Sequence, residues 1–430
     1  MLSFVAAVML QYREDSLLEL QYNFGLAKIL AVTVTVLLLA HYLDLYSPDE
    51  LTSINEAYVR LYALLGGISI ALSVVASIWP DAAIGNNAFF FGTVFATATL
   101  SGWRAFFTWT LSKNFMTERV YVLGNGTRAQ RLVDVLRKRI DMGMEIVGWS
   151  GALGAPAEPQ QLARNLLDCS RSGRIDRVIV ALEDRRGRMP IEELIQLRLN
   201  GVIIEDAATL LEKITGRLEV SNLTTSCLIF TDGFKVSHVH QACMRLVSMT
   251  VAAMTLVIAS PLLLLIAILI KLDSPGPALF RQKRIGEHGR NFTLVKFRSM
   301  ALGSEGPAPV DRNDPRFTRL GKWLRRVRLD EFPQMLNVLK GDMNLVGPRP
   351  FVPAEERLCA EKIPFYSLRW HVKPGITGWA QVRRGYNRTI EENTEKLSYD
   401  LFYIKNASLS LDLLIMFDTA KIILLSRGSR

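Results

Sequence analysis

The chain has 430 residues, 49% hydrophobic and only 21% charged, which excludes a fully disordered polypeptide. Lys and Arg outnumber Asp and Glu by 51 to 41, and the net charge of +10 favours anionic partners such as lipid or nucleotide. The cysteines Cys169, Cys227, Cys243 and Cys359 are scattered with no CxxC pair, which argues against a disulfide framework or a zinc site.

The opening stretch Met1 to Leu10 is apolar but has no basic n-region, so no secretory signal peptide is expected. Crossing ~30 Å of hydrocarbon takes ~20 apolar residues. Phe24 to Leu43, Leu61 to Pro80 and Ala82 to Trp103 meet that length, and the opening residues read as the stub of a fourth span. Lys28 lies near one end of its run and can snorkel to the headgroups. The turn Pro80-Asp81-Ala82 carries no Lys or Arg, whereas Arg104, Lys113 and Arg119 follow the last span, so the chain beyond Trp103 is expected to be cytoplasmic. Region 1–112 is therefore read as a membrane α-helical bundle.

Region 118–218 alternates strand and helix, the rhythm of an α/β Rossmann-like sheet. Its strands are Val120 to Leu123, Glu145 to Trp149, Arg177 to Leu182 and Gly201 to Ile204, and Gln130 to Arg139 is an amphipathic helix. Between the first strand and that helix lies Gly124-Asn-Gly126-Thr-Arg-Ala129, a GxGxxA turn placed where amides can hold a pyrophosphate. The acid that an NAD site needs after the second strand is missing, since the chain there reads Val147-Gly148-Trp149-Ser150. A domain without a catalytic cofactor, a nucleotide-effector site and a redox enzyme all stay open.

A further apolar run, Leu246 to Ile270, is bounded by Arg245 and Lys271 and contains Ser260-Pro261 just past its centre. Proline removes a backbone hydrogen bond, and a neighbouring serine hydroxyl can satisfy the freed carbonyl. Cations at both ends favour a broken, re-entrant helix over a crossing. Residues 271–350 then hold sixteen Lys or Arg against eight acids, interleaved with Gly and Pro turns, a combination suited to phosphate recognition. No helix-turn-helix, zinc finger or aromatic RNA platform accompanies them, so nucleic acid is not an expected partner. Within this field stand Asp330 and Glu331, after a helical stripe of Leu320, Trp323, Leu324 and Val327 and before Pro333, the expected first residue of the next helix. Arg325, Arg326 and Arg328 lie beside them and are expected to keep both carboxylates ionised. An acid pair alone also suits a helix cap.

The ordered motifs go further. Ser274-Pro-Gly-Pro277, Phe280-Arg-Gln-Lys-Arg-Ile-Gly286, Lys296-Phe-Arg-Ser-Met300, Leu329-Asp-Glu-Phe-Pro-Gln334 and Val346-Gly-Pro-Arg-Pro350 resemble the bacterial sugar transferase family, the polyprenyl-phosphate phosphoglycosyl transferases. Lys373-Pro-Gly-Ile-Thr-Gly-Trp-Ala-Gln-Val382, Tyr399-Asp400-Leu401 and Asp412 are similar as well. Arg383-Arg384-Gly385-Tyr386, where many relatives have Asn-Gly-Arg, is closer to the branch associated with exosortase-type polysaccharide systems. The resemblance implies an α-rich phosphoglycosyl transferase domain over 236–430 with a re-entrant membrane helix at 246–270. It implies transfer of a sugar-1-phosphate from a UDP-sugar to polyprenyl (undecaprenyl) phosphate with release of UMP, the first step of exopolysaccharide synthesis. Asp330 would be the nucleophile and Glu331 the Mg²⁺ ligand. Arg281, Lys283, Arg284, Lys296, Arg298, Arg325, Arg326, Arg349 and Gln381 would bind substrate. The implied location is the bacterial inner membrane with the catalytic domain on the cytoplasmic face and membrane lipids as partners. A homodimer is left open, as is the sugar.

Overall fold

The computed structural model describes residues 1–12, 25–42, 54–79, 86–112, 117–139, 142–150, 175–182, 189–220, 237–303, 314–384 and 389–424, with a few isolated positions besides. The Pro80-Asp81-Ala82 turn, Lys113, Cys169, Cys227, Gly385 and Tyr386 lie outside the described residues. The chain divides into two compact units, residues 1–207 and 208–430.

Among the described residues the first unit opens with four helices, α1 (Leu2–Tyr12), α2 (Gly25–Tyr42), α3 (Ile54–Ile78) and α4 (Asn86–Ser112). Apolar residues cover most of their surface because the sequence is apolar all round, so burial against one another is only partial. Phe4, Val8, Ile29 and Val32 form one buried cluster, and Ala40, Leu61, Leu64, Leu65 and Ile68 another. Leu30, Leu37, Ile70, Val74, Phe90 and Trp103 stay exposed. Hydroxyls within these helices turn back on their own backbone, as when Thr33 donates to the Ile29 carbonyl at 2.8 Å and Thr97 to Thr93 at 2.8 Å. Of the described helices, α2 and the later His238–Asp273 are long and apolar enough to cross a membrane.

A parallel four-stranded sheet follows, β1 (Glu118–Leu123), β2 (Met144–Trp149), β3 (Arg177–Val180) and β4 (Ile203–Asp206), in the order β2-β1-β3-β4. Helices α5 (Thr127–Lys138) and α6 (Ile191–Leu199) connect them. Tyr121, Leu123, Val178 and Val180 are buried with Leu194 and Leu197 of α6, as expected where helices cover a parallel sheet. Arg177 joins adjacent strands by bonding Glu118 at 2.7 Å and Glu205 at 2.6 Å.

The second unit begins inside α7 (Ala207–Thr215), at residue 208, whereas the sequence reading runs the α/β region on to 218. Leu218 and Val220 are buried with Trp379, Leu397 and Leu401, and Lys405 bonds Glu212 at 2.7 Å. The long helix α8 (His238–Asp273) follows, then an antiparallel hairpin of β5 (Leu279–Ile285) and β6 (Asn291–Phe297). Next come α9 (Arg319–Arg326), a 3₁₀ turn (Leu329–Gln334), α10 (Met335–Lys340) and β7 (Asn344–Val346). The unit closes with α11 (Pro353–Lys362), a second 3₁₀ turn (Tyr366–His371), β8 (Gly375–Thr377), α12 (Trp379–Arg383), α13 (Ile390–Lys405) and α14 (Leu409–Leu424).

Helix α8 runs through Pro261 without interruption, rather than breaking there. Proline leaves the Val257 carbonyl without its helical partner, and the Ser260 hydroxyl donates to that carbonyl at 2.8 Å. Both ends of α8 are fastened to the second unit. Arg245 donates to the Val338 and Leu339 carbonyls at 2.5 and 3.0 Å, and Ala252 packs with Leu294, Val338 and Met343. At the other end Ile266 and Ile270 pack with Ala278, Phe297 and Leu324. Met254, Val257, Ile258, Leu262, Leu264 and Leu265 between them are exposed.

Candidate active site

Asp330 and Glu331 sit in the first turn of the 3₁₀ segment that joins α9 to α10. Pro333 lies inside this turn, and the following helix starts at Met335, two residues later than the proline pattern suggests. Arg328 enters the turn in the left-handed region at φ +59°, a strain that non-glycine residues keep where the surroundings enforce it. Of the expected apolar stripe only Leu324 is fully buried. Trp323 and Val327 are exposed, because α9 is a short helix with one face on the core.

The turn buries Asp330, which is 6% exposed, and leaves Glu331 in partial contact with solvent. Arg349 donates to Glu331 Oε1 at 2.8 Å, and Arg328 lies 3.6 Å from the same oxygen. The two carboxyls are driven apart. Burial, then the charge of Glu331, pushes Asp330 up to about 6 despite Lys296, Arg325 and Arg349. Burial opposes ionisation of Glu331 too, but Arg349, Arg328 and Lys296 outweigh it and hold this carboxyl below its usual range. The cations thus hold Glu331 ionised as expected, and Asp330 ionises only as the pH rises through about 6, because desolvation outweighs the cations there. Lys296 is itself lowered, first by burial and then by Arg284, Arg325 and Arg349, with Asp330 opposing. Its ammonium stands 5.1 Å over the Phe280 ring.

The other expected substrate residues separate. Arg284, Arg325 and Arg349 join Lys296 in the field around the dyad. Arg281 and Lys283 alternate with Arg284 along β5 and are exposed on the other side of the hairpin, and Arg326 is exposed on α9. Arg298 has a different task. Its buried guanidinium donates to the Ile270, Ser274 and Pro275 carbonyls and to the Ser274 hydroxyl, closing the end of α8 against the Ser274–Pro277 turn. That engagement gives Arg298 a structural task beside its expected one. Gln381 uses its amide on the Ile376 carbonyl at 3.2 Å.

The Gly347–Pro350 loop places Arg349. Strands β7 and β8 pair in parallel, Asn344 with Gly375 and Val346 with Thr377, and bring Gly347, Gly375 and Gly378 together. A Cβ on any of them would run into the facing backbone, so the motifs need glycine there for close approach. The Gly347 amide donates to the Thr377 carbonyl at 2.9 Å and the Gly375 amide to the Pro348 carbonyl at 3.0 Å. Arg284 donates to the Pro350 carbonyl at 3.2 Å.

Beneath the loop lies a group that motif reading left without a role. Arg369, Glu356 and Asp400 are buried and ion-paired, with Arg369 to Asp400 at 2.8 Å and to Glu356 at 3.2 Å. Lys396 is lowered to about 7 by burial, although Asp400 pulls the other way. Tyr399-Asp400 among the family motifs was the only signal for this cluster.

Among the described residues no group of three or more His, Cys, Asp or Glu could hold a metal ion. Mg²⁺ is commonly bound by one or two carboxylates together with substrate phosphates and water, so the dyad fits such an ion once a diphosphate is present.

Comparison with known proteins bears on this arrangement. Residues 239–426 match the bacterial sugar transferase family. The chain is 31% identical over its whole length to the undecaprenyl-phosphate glucose phosphotransferase of Komagataeibacter xylinus, covering 82% of that protein. This chain belongs to the bacterial sugar transferase family. It is 43% identical over 225 residues to the UDP-N-acetylgalactosamine-undecaprenyl-phosphate N-acetylgalactosaminephosphotransferase of Aeromonas hydrophila, spanning 52% of that relative. It is 32% identical over 331 residues to the UDP-glucose:undecaprenyl-phosphate glucose-1-phosphate transferase of Escherichia coli, which is 72% of this chain and 68% of that one.

Proposed function

We propose that this family member transfers a sugar-1-phosphate from a UDP-sugar to undecaprenyl phosphate and so begins exopolysaccharide synthesis. The observation that carries the proposal is the Asp330–Glu331 pair, two adjacent carboxyls of opposite pKa displacement within a ring of Lys296, Arg325 and Arg349. The names of the relatives supply the substrate classes. An Asp330 oxygen attacks the sugar-linked phosphorus, and the bond from that phosphorus to the UMP oxygen breaks. The phosphosugar-aspartyl enzyme then yields its phosphorus to an oxygen of the lipid phosphate, and the Asp330 carboxylate is regenerated. Lys296, Arg325 and Arg349 stabilise the phosphoryl charge beside the buried Asp330. Glu331, with its second oxygen, would hold Mg²⁺, which neutralises diphosphate charge when bound. UMP release measured against a panel of UDP-sugars tests this reading. Release from none of them, with and without undecaprenyl phosphate, would overturn it.

The relatives differ in the sugar that their names print, so identity alone does not choose one here. The chain is read as a multi-pass inner-membrane protein with its catalytic unit on the cytoplasmic face, where UDP-sugars are made. A reading in which both ends of α8 stay on one face of the membrane is supported by its two fastened ends, although the helix does not break at Pro261. Fourteen residue steps separate Ala252 from Ile266, ~21 Å at ~1.5 Å per residue, which is short of ~30 Å of hydrocarbon. Cysteines placed at positions 241 and 290 should be labelled only from the cytoplasmic side, and periplasmic labelling at 290 would overturn the topology.

A further inference from the structure

The guanidinium of Arg349 is aimed at Glu331, yet its own backbone lies in an irregular loop with two prolines. The pairing of β7 with β8 fixes Gly347 and Pro348, but the Arg349 carbonyl lies beyond that ladder and is held separately. The fixing comes from below. Arg369 donates to the Arg349 carbonyl at 2.9 Å, to Asp400 Oδ2 at 2.8 Å, to Glu356 Oε1 at 3.2 Å and to the Tyr366 hydroxyl at 2.6 Å. Its side chain is 3% exposed and lies 5.0 Å from the centre of the Phe351 ring, the residue that ends the loop. Glu356 continues the support, accepting from the Phe351 amide at 3.4 Å and from the Trp370 indole at 3.2 Å. The Lys396 ammonium stands 4.1 Å from the centre of the same ring.

We infer that Arg369 is a positioning residue for the transfer reaction, holding the Arg349 carbonyl so that the Arg349 guanidinium meets Glu331 and the substrate phosphate. The inference rests on the transferase reading above. Three features set Arg369 apart from a structural ion pair. Its donors leave in different directions, one to the catalytic loop and the rest to α11, α13 and the 3₁₀ turn that carries it. Its two carboxylate partners keep it charged and immobile in an interior where a planar, forked donor loses little freedom per bond. Lysine, a point donor, can keep the charge but cannot span the Arg349 carbonyl and Asp400 together. Finally, the loop's own sequence offers no substitute, because Pro348 and Pro350 have no amide to give.

The test is a pair of variants in the full chain, Arg369→Lys and Tyr366→Phe, with UMP release and amide exchange as readouts. Arg369→Lys should lower kcat by ~10²-fold with KM for the UDP-sugar changed by no more than ~3-fold, the pattern of a misplaced group felt in the transition state. Exchange at the Phe351 amide should rise while α13 stays protected. Tyr366→Phe removes one bond from Arg369 and nothing from the loop, and should show the same split at about a tenth of the size; it decides the matter if Arg369→Lys does not fold. Parallel loss of activity and of α13 protection, or equal changes in kcat and KM, would reduce Arg369 to a structural ion pair. The unsubstituted chain is the control. If it releases no UMP from any UDP-sugar, the transferase reading fails; if it does and the kcat split is missing, only the role of Arg369 fails.

Discussion

Two loops in this chain have the composition of phosphate-binding turns, and they end up in opposite states. The Gly124-Asn-Gly126 turn is closed by its own domain. Its Gly124 amide donates to the Ser150 hydroxyl at 2.7 Å, the Trp149 indole donates to the Gly124 carbonyl at 2.9 Å, and a Cβ at Gly124 would strike the Ala181 carbonyl. Trp149 and Ser150 occupy the end of β2, where a dinucleotide site keeps its acid. The Gly347–Pro350 loop has its backbone pinned just as firmly. It differs in leaving a side chain, Arg349, directed at a carboxyl pair that stands in an excess of cations. Backbone closure is thus common to both, and unbalanced charge marks the one that can do chemistry.

The largest effect that sharpens this contrast comes from Asp330→Asn. An amide cannot form the acyl phosphate, so UMP release should fall by more than ~10³-fold. Stability should move the other way. The Asp330 pKa is raised in the fold from 3.8 to about 6, so a penalty for ionising it builds between those values and is complete above them. The variant should melt ~2–4 °C higher at pH 7 than the parent, with the difference gone by about pH 4. Glu331→Gln should cost less, ~10²-fold, since Asp330 remains. Unchanged turnover in Asp330→Asn would move the nucleophile elsewhere and dissolve the contrast between the two loops.

The pH dependence of the parent is the next effect in size. A nucleophile must be ionised, so kcat/KM for UMP release should rise about tenfold per pH unit below about 6 and flatten above it. An acid limb near pH 4 instead would mean that Asp330 is not desolvated when it reacts.

Much of this was legible in the chain itself, and the reasons differ by element. The four strands of the parallel sheet match the sequence reading within a few residues because each is a short run bounded by turn signals, and β1 and β3 are buried and apolar as well. The dyad and Arg349 stood out as acids and a turn-borne cation within a basic field. Strand alternation could have separated Arg281 and Lys283 from Arg284, as period two does not depend on tertiary structure. Arg298 could not be separated that way, since its partners are carbonyls of a distant helix end and carbonyls carry no sequence signal. The same holds for Leu218 and Val220, which sit in irregular chain with no period to reveal burial. Arg369 had the least signal of all, a lone arginine in a 3₁₀ turn whose acids come from two other helices.

The smallest effect concerns the closed loop. Ser150→Ala removes the acceptor of the Gly124 amide and leaves that donor buried without this partner, a loss of ~1–2 kcal/mol in the α/β sheet. Because the turn is held by packing and hydrogen bonds within its own domain, the change should lower the melting temperature by a few degrees (~2–6 °C) and leave kcat for UMP release within about twofold. Differential scanning calorimetry with a parallel UMP assay measures both. A tenfold fall in kcat at a temperature where the sheet is still folded would show that the Gly124 turn reports to the dyad. The closed loop would then be a regulatory element, and the contrast drawn between the two loops would have to be redrawn as a connection.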